Sequence, residues 1–281
     1  PNPMITGNTE LIAHIGYPTH SFKAPMIYNP YFDSIGVNAC VVPMGCKPDD
    51  FPAFLRAVFS LTNIRGALIT MPHKVAVVDL VDRVTPTVSV AGSCNAVRIG
   101  ADGKLEGDMF DGEGFVRGVK RKGITVAGAS VLVVGSGGVG SAIAASFAAA
   151  GVSRIALFDV NTVSMEALAA RLRQHYPALD VQTGSNDPAG FDIALNATPM
   201  GMNPGDPLPM DVSRIASTTF VGEVVMRAEA TAFLAAVQAR GCRVQIGTDM
   251  LFEQIPAYLE YFGFPTTTAD TLRNVAQIKY A

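Results

Sequence analysis

The stretch Val131–Gly140, reading Val-Leu-Val-Val-Gly-Ser-Gly-Gly-Val-Gly, constrains this chain more than any other. Its four apolar residues read as a buried strand, its glycines as a turn that side chains would block, and the Ala-rich run Val139–Ala150 as a helix. Strand, GxGGxG turn and helix in that order form the fingerprint of a dinucleotide-binding unit. Gly135 permits the tight turn, Gly137 lets backbone approach a pyrophosphate, and Gly140 lets helix pack on strand. The helix N-terminus then offers unpaired N–H groups and a favourable dipole end to phosphate. Ser136, Gly137, Gly138 and Val139 are therefore expected to touch the cofactor. Asp159, 19 residues past Gly140 at the end of the strand Arg154–Phe158, is placed to accept from the adenine-ribose hydroxyls. A carboxylate there repels a 2′-phosphate, and the next residue, Val160, brings no guanidinium to neutralise one. NAD is thus expected over NADP. The bland alternatives are a structural turn for the glycines and a cap on the helix near Thr162 for Asp159.

The same alternation of short apolar runs with longer segments of helical period continues on both sides, which predicts an α/β fold with mostly parallel sheets. At 281 residues the chain has room for two domains of ordinary size. Upstream, Leu11–Gly16, Asn38–Pro43 and Gly66–Thr70 read as strands, and Pro25–Ile35, Pro48–Leu61 and Pro72–Val81 as helices. Asn95–Ile99 and Lys104–Asp108 follow as a strand pair around Ala101-Asp-Gly, before a helix opening near Asp111. Downstream of Arg154–Phe158 come helix Val163–His175, strands Phe191–Asn196 and Phe220–Val224, helix Glu229–Arg240 and strand Cys242–Ile246, a doubly wound pattern. Helices Met250–Tyr261 and Ala269–Tyr280 are surplus to that unit and can return to pack on the first.

Composition excludes several functions. With 21 Lys+Arg against 24 Asp+Glu and no long run of like charge, the chain lacks the footprint of phosphate-backbone binding, so no nucleic-acid partner is expected. Its apolar stretches fall short of the ~20 residues that span a bilayer. Pro1–Glu10 shows no basic segment followed by an apolar one, and a cytoplasmic location is expected. Cys40, Cys46, Cys94 and Cys242 are scattered, as are His14, His20, His73 and His175, so neither a disulfide framework nor a metal centre is expected.

Outside the glycine loop a set of motifs stands in a characteristic order: Gly16-Tyr-Pro18 with Pro25, Arg65-Gly66-Ala-Leu-Ile-Thr70-Met-Pro72-His-Lys74, Gly92-Ser-Cys-Asn95, Gly107-Asp-Met-Phe-Asp111-Gly-Glu-Gly114, Asn196-Ala-Thr198-Pro-Met-Gly201 and Gly247-Thr-Asp-Met-Leu-Phe-Glu-Gln254. Through them the chain resembles the shikimate/quinate dehydrogenase family over nearly its whole length. The resemblance implies a substrate domain (residues 1–110, completed by 247–281) facing a Rossmann-type NAD-binding domain (111–246) across a cleft, in a monomer or homodimer. It implies hydride transfer between a nicotinamide and a small cyclic hydroxy acid or related alcohol. Lys74 and Asp111 match the family's catalytic pair. Thr70, Asn95 and Gln254 match positions that hydrogen-bond substrate hydroxyls, and Asn196, Thr198 and Gly247 match positions about the nicotinamide. Alcohol oxidation does need an ionisable group beside the hydroxyl, and which of Lys74 and Asp111 carries the proton stays open. A non-catalytic NAD-binding sensor on the same fold is the alternative reading.

The departures bear on the substrate. Where the family usually offers two serine hydroxyls to the substrate carboxylate, this chain has Phe22 and Ala24, leaving Ser21 and Lys23 as nearby donors. The Asn-Thr usual before the aspartate is Met109-Phe110, the usual Asn before the lysine turn is Leu68, and a common Tyr near the nicotinamide is Met226. A hydrogen bond to a charged group is worth roughly 1.5–3 kcal/mol. A more apolar site lined by Phe22, weak on shikimate itself, is expected.

Overall fold

The computed structural model describes residues 4–225 and 230–279, so Met226, Glu229 and Tyr280 lie outside the described residues. The chain divides into two compact units: residues 1–88, 93–109 and 255–281 form the first, and 89–92 with 110–254 the second.

In the first unit, strands β1 (Glu10–Gly16), β2 (Ala39–Gly45) and β3 (Ile64–Ile69) alternate with helices α1 (Pro25–Ser34) and α2 (Phe51–Val58). A two-residue β4 (Arg83–Val84) and a short α3 (Pro86–Ala91) precede β5 (Ala96–Ile99) and β6 (Leu105–Asp108). The six strands lie in the order β2-β1-β3-β5-β6-β4, parallel at β1–β2 and β1–β3 and antiparallel at β3–β5 and β5–β6. His14 pairs with Leu68 in the β1–β3 register, two residues after Ile12 pairs with Gly66.

The second unit runs α4 (Asp111–Arg121), β7 (Ser130–Val134), α5 (Gly138–Ala149), β8 (Arg154–Phe158), α6 (Thr162–His175), β9 (Asp180–Thr183), β10 (Ile193–Asn196), β11 (Phe220–Glu223), α7 (Ala232–Ala239), β12 (Val244–Gln245) and the start of α8 (Thr248–Phe262), whose residues from Ile255 on belong to the first unit. All its pairings are parallel, in the order β12-β11-β10-β7-β8-β9. That is the doubly wound order, with the direction of winding reversing between β7 and β10; ligands in such sheets bind beyond the strand carboxyl ends at this point. β7 and β10 are almost wholly sealed, and the core beneath them joins Leu132, Ala194, Val221, Phe233 and Leu234. Arg171 Nε donates to Val90 O at 2.7 Å, which ties residues 89–92 to this unit.

The chain then returns to the first unit, where α9 (Ala269–Val275) packs on α1. Tyr31 donates to Pro265 O at 2.7 Å, and Arg65, paired with Glu10, also donates to Phe262 O at 2.8 Å and lies over the Phe264 ring.

One expected helix is absent. Residues 72–81 form turns and a 3₁₀ segment, Ala76–Asp79, instead of an α-helix. The run holds the β-branched Val75, Val77, Val78 and Val81, which are poor helix formers. Lys74 O, moreover, accepts from Cys94 N at 2.9 Å, a tertiary partner in place of a helical one. Conversely β4, α3 and β9 lie in stretches not expected to be regular, and β12 is shorter than Cys242–Ile246. Among the described residues no helix is long and apolar enough to cross a membrane, and no group of three or more His, Cys, Asp or Glu side chains is arranged to hold a metal.

A Cβ added at Gly66 would overlap the Phe262 ring and lie 3.0 Å from Val97 O. Gly66→Ala is expected to lower stability by about 1–3 kcal/mol, the usual range for overpacking, read as a lower urea midpoint than that of the parent protein.

Candidate functional site

In the second unit the glycine turn leaves the carboxyl end of β7, where Gly135 has φ +110°, open to glycine and strained for other residues. A Cβ at Gly140 would overlap Gly135 O, so the first turn of α5 lies directly on the strand end. At Gly137 and Gly138, by contrast, a Cβ would meet nothing within 4 Å. Open space above a helix N-terminus beside a buried, unsatisfied hydroxyl suits phosphate. Ser136 Oγ supplies that hydroxyl, being buried with no hydrogen-bond partner among the described residues. The residues present therefore fit a dinucleotide.

Asp159 stands beside this loop: its Oδ2 accepts from Ser136 N at 2.6 Å and its Oδ1 from Asn161 N at 2.8 Å. The cap of α6 is Asn161, which accepts from Ser164 N, so Asp159 is not the helix cap. Val160, next to it, is 87% exposed, an apolar surface at the edge of the loop.

On the other flank Ala197 N donates to Val134 O at 2.7 Å and brings the segment after β10 against Gly135. Asn196 is fully buried; its Nδ2 donates to Met200 O at 2.8 Å and its Oδ1 accepts from Thr198 N at 3.0 Å. It thereby shapes the turn that presents Thr198. Gly247 lies so near residues 224 and 225 that a Cβ would overlap Val225 O.

Two further expected residues belong to this unit. Asp111 is the first residue of α4, where the helix dipole favours a carboxylate. Gln254, on α8, has a buried Oε1 with no hydrogen-bond partner among the described residues.

In the first unit four expected residues converge at the carboxyl ends of β1 and β3. Thr70 N donates to Ile15 O at 3.0 Å, and Thr70 O accepts from His73 N at 2.9 Å. His73, stacked on Phe51 with ring centroids 4.0 Å apart and donating to Cys46 O at 2.6 Å, clamps the turn that carries Lys74. Cys94 N reaches Lys74 O, and the adjacent Asn95, 2% exposed, is held by Ile69 N on its carbonyl and Asp108 O on its amide. Phe22 covers the same strand ends, for a Cβ at Gly16 would lie 2.9 Å from Phe22 Cζ and would overlap Thr70 Cγ2.

The sequence did not single out His14. It stacks on Phe22 at 4.1 Å, and burial together with the nearby Lys74 ammonium lowers its pKa to about 4. The sequence shows only that it alternates with Gly16 along β1; that it lies opposite Leu68 comes from the strand register.

Two surface hollows of the first unit differ in promise. One of about 690 Å³, lined in part by Tyr17, His20, Cys46 and Lys47, opens beside the ends of β1 and β2. Another, of about 460 Å³, has arginines that are already engaged: Arg98 with Glu106, Tyr261 O and the Tyr261 ring, and Arg65 as above.

Known proteins resemble this chain over most of its length. Residues 14–97 match the family model described as the shikimate dehydrogenase substrate binding domain, and residues 121–179 match that of the ThiF family. A shikimate dehydrogenase (NADP(+)) of Rubrobacter xylanophilus is 33% identical over 261 residues, covering 90% of each chain. Among solved structures, the quinate dehydrogenase of Corynebacterium glutamicum in complex with NAD is 28% identical with a TM-score of 0.81, over 95% of this chain and 98% of that one. The ligand-free 5-ketofructose reductase of a Gluconobacter strain is 25% identical with a TM-score of 0.85, over 96% of this chain and 98% of that one.

Gly140→Ala is expected to raise the dissociation constant for nicotinamide dinucleotide at least ~10-fold by displacing the turn from the strand. Quenching of intrinsic fluorescence on cofactor titration checks this.

Proposed function

Because the chain belongs to the shikimate dehydrogenase family and is a shikimate/quinate dehydrogenase-type oxidoreductase, we propose that it moves hydride between NAD and the secondary alcohol of a shikimate- or quinate-like cyclic substrate, and turns shikimate over poorly. The observation that carries this reading is the clamped turn that presents Lys74 beside Thr70 and Asn95 at the ends of β1 and β3. A nicotinamide dinucleotide held at the glycine loop Gly135–Gly140 would supply the hydride acceptor or donor. Lys74 handles the proton: as the free amine it takes the hydroxyl proton during oxidation, and as the ammonium it gives that proton back during reduction. Asp111, the first residue of α4, serves as the acidic member of the catalytic pair. Thr70, Asn95 and Gln254 hold ring hydroxyls, and the buried Gln254 Oε1 is an acceptor suited to one of them.

Preference for NAD rests on Asp159 and Val160. The carboxylate is fixed by two backbone amides at the loop, and no arginine follows it. Curated relatives are named for NADP(+), so this chain's preference is read from its own side chains. The quinate dehydrogenase solved with NAD lends it support. Weak turnover of shikimate rests on Phe22 and Ala24, which carry no hydroxyl for a carboxylate. That a related fold serves a 5-ketofructose reductase is consistent with a changed substrate end.

Initial rates of shikimate and quinate oxidation with NAD and NADP in parallel test the proposal. NAD is expected to give the higher kcat/KM, with shikimate slow; fast NADP-dependent oxidation of shikimate would overturn both preferences. Lys74→Ala is expected to cut kcat by about 10²–10⁴-fold, the usual worth of a positioned acid–base group, with cofactor affinity within about twofold of the parent. Asp159→Ala is expected to raise KM for NAD and narrow its advantage over NADP.

A further inference from the structure

The end of the substrate site that lost its polar groups gained one. Three positions where the family usually carries serine, serine and asparagine are Phe22, Ala24 and Leu68 in this chain. His14 touches two elements of that change at once: its ring stacks on Phe22 at 4.1 Å with an interplanar angle of 27°, and it is the register partner of Leu68 across the β1–β3 pairing. Alternation along parallel strands puts His14 on the face of β1 that also carries Gly16, against which Thr70 and Phe22 pack.

Folding does not account for a histidine at this place. The residue is 9% exposed, and its Nδ1 is buried with no hydrogen-bond partner among the described residues. An unpartnered buried nitrogen destabilises the folded chain, and a leucine would fill a comparable volume without that loss. His73, the neighbouring buried histidine, shows the contrast: its imidazole is spent on Cys46 O. Both the burial of His14 and the Lys74 ammonium favour its neutral form. A neutral imidazole both donates and accepts, so it recognises a hydroxyl or carbonyl and offers no charge to a carboxylate.

We infer that His14 is a specificity-determining residue of the substrate site, hydrogen-bonding an uncharged hydroxyl or carbonyl at the end of the substrate where the family's serines hold a carboxylate. The inference rests on the dehydrogenase reading above and narrows its substrate class to uncharged, polyhydroxylated cyclic alcohols or ketones. Phe22 fixes the ring plane by stacking and excludes the water that a carboxylate would bring with it.

The test compares shikimate with its methyl ester, which keeps the ring and removes the charge, using the full-length protein and NAD. The parent protein is expected to oxidise the ester with at least ~10-fold higher kcat/KM than shikimate, since a missing or mismatched polar contact in a built site discriminates by at least that factor. His14→Leu is expected to lower kcat/KM for the ester by about tenfold or more, with the dissociation constant for NAD unchanged and the melting temperature equal or higher. His14→Gln, which keeps a neutral donor and acceptor, is expected to recover part of that loss. Phe22→Ser is expected to shift the ratio toward shikimate. Lys74-dependent turnover that is indifferent to His14→Leu, or a parent protein that prefers shikimate over the ester, would overturn this inference alone. Lys74→Ala turnover as fast as the parent's would overturn the proton-transfer role proposed for Lys74, and the substrate site built around it, together with this inference.

Discussion

Parallel strand pairing is the constraint from which the rest of this molecule follows. A parallel pair cannot be closed by a tight turn, so each strand must be followed by a crossover, and every crossover leaves from the same edge of the sheet. In the second unit all six strands obey it, and the loops after β7, β8 and β10 are delivered to one edge. In the first unit β1, β2 and β3 obey it, which gathers residues 14–22, 45–47 and 70–74 at their carboxyl ends. The antiparallel pair β5–β6 then extends the sheet from the other side of β3 and brings Asn95 to the lysine turn.

Within that frame, some buried polar atoms are engaged by the fold and others are left open by it. Asn196, Asp159 and His73 have their polar atoms engaged by backbone groups of the fold, and each shapes a loop. Ser136 Oγ, Gln254 Oε1 and His14 Nδ1 are buried without partners among the described residues. An unsatisfied buried group weakens a fold, so these three atoms contribute nothing to folding stability. Ser136 stands in the glycine loop after β7, Gln254 on α8, and His14 on β1 beside Phe22.

Much of this was legible in the chain. The strands from β1 to β3, the β5–β6 pair and the run from β7 through α6 follow the apolar periodicity closely, because each buries a continuous stripe or a sealed strand. The helix expected at 72–81 failed because its backbone is claimed elsewhere: Cys94, about twenty positions downstream, binds the Lys74 carbonyl. The short β4, β9 and β12 were missed or overdrawn because an edge strand of two to four residues carries too little pattern to be read. Asp159 presented a choice between cap and ligand group, and it took the position of Asn161, two residues further on and accepting from Ser164 N, to assign the cap.

The amino-acid sequence by itself determined the α/β class, the glycine loop with its acidic partner, and the family through motifs whose order is local information. Those features are carried by periodicity and by short motifs at set spacings along the chain, which a linear reading captures. Only the tertiary structure decided that His14 meets Phe22 and Leu68, that Cys94 and His73 clamp the turn of Lys74, and that residues 255–279 belong with the first unit. Each of these depends on the register of strands and the side of a sheet on which a distant side chain arrives. A single-residue shift in β1 would turn His14 to the opposite face.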